Sequence, residues 1–231
     1  LIIIDISDPY SPLIKGSLNL PGYAHNVYIN GNFAFIADGH SGLQIINITE
    51  LSSPVLVASC NTIDYALGIF VNGNYAYVSD SNSGLQIIDI SNTSSPQIIS
   101  SCKTSDNTFE AFIKDNTAYI ADGYGGLKII SVSNLLSPEV ISSCKTGNSA
   151  MGVFVNNNYA FIANSDAGLQ VIDVSNTSAP EKVCSYDTPG DATSVCVNGE
   201  YIYVSDVYSL IILKFKDSET SIRHYTNCLL Y

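Results

Sequence analysis

One line of sequence returns at a fixed interval, and that interval constrains the fold more than any other feature. "YAYVSDSNSGLQIIDIS" (75–91) is preceded by "FAFIADGHSGLQIINIT" (33–49) and followed by "TAYIADGYGGLKIISVS" (117–133) and "YAFIANSDAGLQVIDVS" (159–175). Each copy lies 42 residues from the last. Pro12, Pro54, Pro96, Pro138 and Pro180 keep the same step, as do Leu1, Leu43, Leu85, Leu127 and Leu169. A period of this length marks a repeat architecture, in which each copy is one supersecondary unit stacked on the next.

Each unit divides into four short strand-like runs. In the copy that starts near residue 64, "LGIFVN" alternates and ends at Asn72-Gly73-Asn74, a tight-turn signal. "YAYVSD" then leads into a Ser/Asn/Gly turn, "GLQIIDIS" forms the third run, and Pro96 opens a fourth, edge-like run, "QIISSC". No stretch holds a helical period. Four strands in about 42 residues, without helices, predict an all-β fold, a β-propeller of four-stranded antiparallel blades. The rival is a parallel β-helix with two coils per repeat. It is disfavoured because the half-repeats differ and tight hairpin turns require antiparallel neighbours.

Full units fall at about 22–63, 64–105, 106–147 and 148–189. Residues 190–217 and 1–21 are expected to join as a fifth blade, closing a propeller over 1–217 and leaving 218–231 as a C-terminal tail. The sum leaves one third-type strand over, since both Leu1–Ser7 and Leu210–Lys216 fit that role. A ring of six or more blades is the alternative. The chain also opens on "LIIIDIS", which aligns with the middle of a repeat, so it reads as a piece of something longer.

The third-strand lines "LIIIDIS", "GLQIIDIS" and "GLQVIDVS", preceded by "YAYVSD"-like strands and followed by "SP", resemble the LVIVD repeat family over residues 1 to about 216. The resemblance implies a propeller, often found on surface and secreted proteins of bacteria and archaea. It brings no catalytic motif to these positions. The last copy, "VYSLIILKF", departs from the pattern.

Composition narrows function mainly by exclusion. Hydrophobic residues make up 46% and charged residues 13%, which suits a globular domain. A formal net charge of −12 argues against a nucleic-acid partner, because phosphate binding needs clustered Lys and Arg. No run approaches the roughly 18 apolar residues of a membrane span. Catalytic signatures such as HExxH, CxxC, GxSxG and the P-loop are missing. The sequons at Asn47, Asn92 and Asn176 are no more than such a composition supplies by chance.

Comparing copies separates scaffold from surface. Asp38, Asp80, Asp122, Asn164 and Asp206 recur at the end of the second strand and could suggest a cation ring. The expected role is local: each caps its own hairpin by accepting a backbone N–H. The series Asp5, Asn47, Asp89, Ser131 and Asp173 is read the same way. Cys60, Cys102 and Cys144 share one fourth-strand position. They are expected as buried small side chains, since outer strands of neighbouring blades diverge beyond disulfide reach. The pairing of Cys184, Cys196 and Cys228 stays open.

The positions that differ between copies cluster around the first strand. Tyr23, His25, Tyr65, Asn107, Glu110 and Asp191 are therefore the candidate ligand-binding residues, at the rim of the central channel. The expected function is a non-catalytic binding module, extracellular or on the cell surface, that docks a protein or glycan partner on one face. No cofactor or metal is expected, and the chain is expected as a monomer or as part of a larger chain. Two alternatives remain: a propeller hydrolase or lyase with a cation near the channel, and an architectural spacer.

Overall fold

The computed structural model describes residues 1–216 and 221–229. All regular structure among these residues is β-strand, and no helix is long and apolar enough to cross a membrane. A hairpin of β1 (Ile2–Asp5) and β2 (Leu13–Ser17) comes first. Blade 1 follows, with β3 (Asn26–Asn30), β4 (Phe33–Ala37), β5 (Leu43–Asn47) and β6 (Val55–Cys60). Blade 2 contains β7 (Gly68–Asn72), β8 (Tyr75–Ser79), β9 (Leu85–Asp89) and β10 (Gln97–Cys102). Blade 3 contains β11 (Glu110–Lys114), β12 (Thr117–Ala121), β13 (Leu127–Ser131) and β14 (Glu139–Cys144). Blade 4 contains β15 (Gly152–Asn156), β16 (Tyr159–Ala163), β17 (Leu169–Asp173) and β18 (Glu181–Tyr186). Blade 5 contains β19 (Ala192–Asn198), β20 (Tyr201–Asp206), β21 (Ser209–Lys216) and β22 (Ser221–Leu229).

Every blade is a four-stranded antiparallel sheet with its strands in chain order. The first strands β3, β7, β11, β15 and β19 pack side by side in sequence, so the molecule is a five-bladed β-propeller. Two-residue loops join first to second strands, as in the pairing of Asn72 with Tyr75. The first loop residue takes positive φ in every blade, including Asp115 at 53° and Asn157 at 50°. At the next turn glycine is required by space as well as by φ: a Cβ on Gly84 would lie 2.3 Å from the carbonyl oxygen of Cys102. Third and fourth strands shift register at a bulge in blades 1 to 4, after Ile45, Ile87, Ile129 and Val171 on the third strand. That twists the outer strand away from its neighbour.

The core lies between blades. One face of blade 1 (Phe35, Ala37, Leu43, Ile45) meets the opposite face of blade 2 (Ile69, Val71, Ala76, Val78, Ile88). The same contact recurs for the next three interfaces. The middle strands are thus covered on both faces, which explains near-continuous apolar runs such as "FAFIA". A fully buried Ile or Leu in such a layer contributes about 1.5–3 kcal/mol.

Completion of blade 5 differs from the expectation. Residues 221–229, expected as part of a tail, supply the fourth strand: β22 pairs antiparallel with β21 along its length. The N-terminal strands do not enter that sheet. β1 and β2 pair with each other, and Leu1, Leu18 and Leu20 pack on Ala34, Ile36 and Ile46 of blade 1. This accounts for the surplus third-type strand. "SIRHYTNCL" carries neither the proline nor the apolar line of the other fourth strands, so pattern matching passed over it.

Cys60, Cys102 and Cys144 are free thiols at the blade interfaces. Cys102 is buried, the other two are half-buried, and burial raises the thiol pKa of all three. Cys184 and Cys196 are also free, and the Cys228 side chain lies outside the described residues.

Candidate functional site: the channel rim

The recurring Asx residues at the end of the second strand are buried and fix the rim. Their reach is longer than an own-hairpin cap. Asp38 Oδ2 accepts from the N–H of Gly22 at 2.8 Å, and Asp80 Oδ2 from those of Ile63 and Asp64, both at 3.0 Å. Asp122 accepts from Ser105 and Asp106, and Asp206 from Gly190. Asn164 reverses the polarity, donating its amide to the Thr146 carbonyl at 3.0 Å. Each ties down the loop that leads into the first strand of its own blade, and the Asp206 side chain also accepts within its own turn, from the Tyr208 N–H. Among the described residues no cluster of His, Cys, Asp or Glu could hold a metal ion. The third-strand series is local, as its spacing suggests: Asp5, Asn47, Asp89 and Asp173 each accept from the N–H two residues on. Those bonds, with Lys15 nearby, hold the Asp5 carboxyl down at about 2.

The turn after each second strand reaches across to the next blade. Gly39 exchanges two backbone hydrogen bonds with Ala66 at 3.1 Å, and Gly123 does so with Ala150 and Ser165 with Ala192. Ser81 and Thr108 make the equivalent bridge. These stitches align the lead-in loops and the turns as one rim, and the side chains that vary between copies project from it.

The six candidates do not form one pocket. His25 and Tyr65 come together: Nε2 lies 3.0 Å from the phenol oxygen, with ring centroids 5.1 Å apart. Tyr65 also stands edge-on to His40, centroids 4.6 Å apart at 90°. Asn107 accepts a hydrogen bond from Ser81 at 3.0 Å. Asp191 borders a small cavity of about 250 Å³ with Asp166 and Tyr208. Tyr23 stands free at 76% exposure. No hydrogen bond or ring contact among the described residues links Tyr23, Asn107 or Asp191 to the His25–Tyr65 pair.

Glu110 is set apart from the rim, on the channel wall. Its Oε2 accepts from the Val153 N–H of the next blade at 2.9 Å, where Gly152 leaves room for the carboxyl. Part of the side chain faces the channel, but the carboxyl end is desolvated against β15. Burial pushes its pKa up to about 7, against the opposing pull of the Val153 bond. The Cys196 thiol is raised first by its own burial and then by the Glu110 charge.

Two features escaped the sequence reading. His40 belongs to another in-phase variable position (His40, Asn82, Tyr124, Asp166, Tyr208), and the period alone could have found it. Tyr28, Phe70, Phe112 and Phe154 form an aromatic belt in the channel, with successive ring centroids 5.1, 5.2 and 4.8 Å apart. Cys196 takes the fifth place in that series. The belt was legible as aromatics two residues after the Glu110 position.

Five repeated blades, an irregular rim and an aromatic-lined channel define a repeat β-propeller. The LVIVD repeat model matches residues 1–19, 21–62, 64–104, 111–146, 147–188 and 189–213, and the chain belongs to the LVIVD repeat family. No curated protein sequence matches the chain. Among solved structures it is similar to a protein from Lactobacillus plantarum, with TM-score 0.79 and 12% identity over 95% of this chain and 74% of that one. A functionally unknown protein from Desulfotomaculum acetoxidans gives TM-score 0.76 and 13% identity over 93% and 72%. The Swd1 β-propeller domain from Myceliophteria thermophila gives 0.72 and 10% over 90% and 73%. At such identities the likeness is one of fold alone.

Proposed function

We propose that the chain is a non-catalytic binding module that docks a protein partner on the rim formed by its turns and lead-in loops. The observation that carries this reading is an irregular, exposed aromatic surface on a regular scaffold. Tyr23, Tyr124 and Tyr208 are each at least 65% exposed, and the His25–Tyr65–His40 cluster lies on the same rim. Tyrosine supplies large contact area at low entropic cost, which suits a protein interface. Asp64, Asp106, Asp166 and Asp191 share these loops, so a basic partner surface is the complementary one. As part of the same proposal the module is extracellular or cell-surface, a setting that follows from the family resemblance alone.

The test is capture from native extract, followed by rebinding of the purified partner in a surface-plasmon assay. Serine at Tyr23, Tyr65, Tyr124 and Tyr208 together should abolish rebinding, and added salt should slow association. Undiminished rebinding by that variant would sink the rim as the docking face. The hydrolase or lyase reading has one observation in its favour, a Glu110 carboxyl that changes charge near neutrality. It requires a stoichiometric metal in the purified protein and an activity that EDTA removes.

A further inference from the structure

The first strands run from the rim to the far end of the channel, and their last residues form a second in-phase series. These are Asn30, Asn72, Lys114, Asn156 and Asn198. Asparagine is disfavoured in strands, so four copies at a strand end need a reason. Turn geometry does not supply it, because positive φ falls on the following residue in every blade, as at Gly73, Asp115 and Asn157. An Asx turn does not supply it either. Asn47 and Asp89 bond the N–H two residues on, whereas the side chains of Asn72 and Asn156 make no hydrogen bond among the described residues.

These free amides border a cavity of about 610 Å³. Its floor is the aromatic belt, whose half-buried Tyr28, Phe70 and Phe112 present ring surface to the opening. A second cavity of about 470 Å³ runs into the crevice between blades 4 and 5 and is walled by Tyr159, Phe161 and Phe215. The two adjoin, since Asn156 and Asn157 line both. Lys114 Nζ donates to the Asn157 carbonyl at 2.6 Å and fixes the wall between them. Each volume lies within the roughly 300–1,000 Å³ of small-ligand sites.

We propose that this mouth and its adjoining crevice bind a short, uncharged carbohydrate chain. Aromatic faces pack against the C–H faces of sugar rings, and carboxamides offer paired donors and acceptors to vicinal hydroxyls. Two joined cavities suit successive sugar units better than one compact ligand. Lys114 and Asp115 balance in charge at the first cavity, which favours a neutral ligand over an ionic one. The site lies at the opposite mouth from the protein-docking rim and does not rest on that reading.

The experiment titrates maltotriose, cellotriose, xylotriose and chitotriose by calorimetry, with saturation-transfer NMR to confirm contact. At least one should bind. The double variant Asn72→Ala/Asn156→Ala, which alters one exposed and one half-buried strand end and not the core, should weaken it about tenfold or more through lost hydrogen bonds. The Tyr23→Ser/Tyr65→Ser rim variant should bind as the wild type does. Failure of all four trisaccharides at millimolar concentration overturns the proposal. So does binding that survives the asparagine variant or is lost in the rim variant.

Discussion

Ile113 in blade 3 and Ile29 in blade 1 occupy the same place in the repeat, yet one is 5% and the other 55% exposed. Their strands have the same register to the second strand and the same turn conformation, with positive φ at Gly31 and Asp115. What differs is the neighbour. Ile113 packs into the core between blades 2 and 3. The blade 1 face that bears Ile29 is covered only towards its outer strands, by the β1–β2 hairpin. The stitches differ in parallel. Ala66, Ala150 and Ala192 are buried and bonded to the preceding turn, whereas Ala24 is exposed. Val207, at the turn of blade 5, donates instead to the Asp191 carbonyl of its own blade at 3.1 Å. On blade 5, Tyr203, Leu210 and Ile212 are likewise less buried than their blade 1 equivalents Phe35, Leu43 and Ile45. An apolar strand in a propeller is therefore made a core strand by the blade beside it, not by its own pattern.

The sharpest test of this contrast uses like-for-like substitutions. Ile113→Ala should cost about 2–5 kcal/mol, the usual range for emptying a packed site. Ile29→Ala should fall within about 0.5 kcal/mol of wild type, as for an exposed position. Urea unfolding followed by tyrosine fluorescence measures both. Equal losses would mean that the blade 1 face is covered in solution, and the comparison would fail.

The next largest effect is expected at Glu110, a titratable side chain held against the β15 backbone. Its folded-state pKa of about 7 lies above the ordinary 4.5, so the folded state holds the proton more tightly than the unfolded chain. Below pH 4.5 both states are protonated and no penalty arises. As pH rises from 4.5 through 7 the wild type loses stability, and above 7 the loss levels off. At ~1.4 kcal/mol per pKa unit, discounted for the side of the residue that faces the channel, the loss is ~2–3 kcal/mol. Glu110→Gln keeps an acceptor for the Val153 N–H and should abolish that part of the pH dependence. Parallel stability curves for the two proteins at pH 5 and pH 8 would contradict the burial of this carboxyl.

The fold was legible because a period repeats its own evidence: each of Leu43, Leu85, Leu127 and Leu169 reports the same buried third strand. The fourth strand of blade 5 was not legible, since the sheet edge at β21 recruits "SIRHYTNCL" by backbone pairing, which leaves no apolar line in the sequence. At the rim, variability between copies pointed to Tyr65 and His25. Their contact depends on how Asp38 and Asp80 anchor the loops of neighbouring blades, a relation across blades that one repeat does not contain. Glu110 was chosen as a rim residue, and its different setting comes from Gly152 on the next strand, where the absence of a side chain admits the carboxyl. Spacing predicts elements, whereas these sites are made by neighbours.

The smallest expected effect probes the stitches themselves. Two of them use glycine, at Gly39 and Gly123, and two use serine, at Ser81 (φ 44°) and Ser165 (φ 49°). A serine in the left-handed region costs about 1–2 kcal/mol, and glycine returns ~0.5–1 kcal/mol of that as extra freedom in the unfolded chain. Ser165→Gly should therefore raise stability by ~0.5 kcal/mol, read as a higher denaturation midpoint with unchanged slope. Ser81→Gly should gain less, because Ser81 Oγ gives up its hydrogen bond to Asn107. Val207→Gly should lose stability, because no stitch and no positive φ occur at that turn. A gain at Val207 equal to that at Ser165 would show that blade 5 turns towards its neighbour as the others do, and would erase the distinction between the open face and the stitched interfaces.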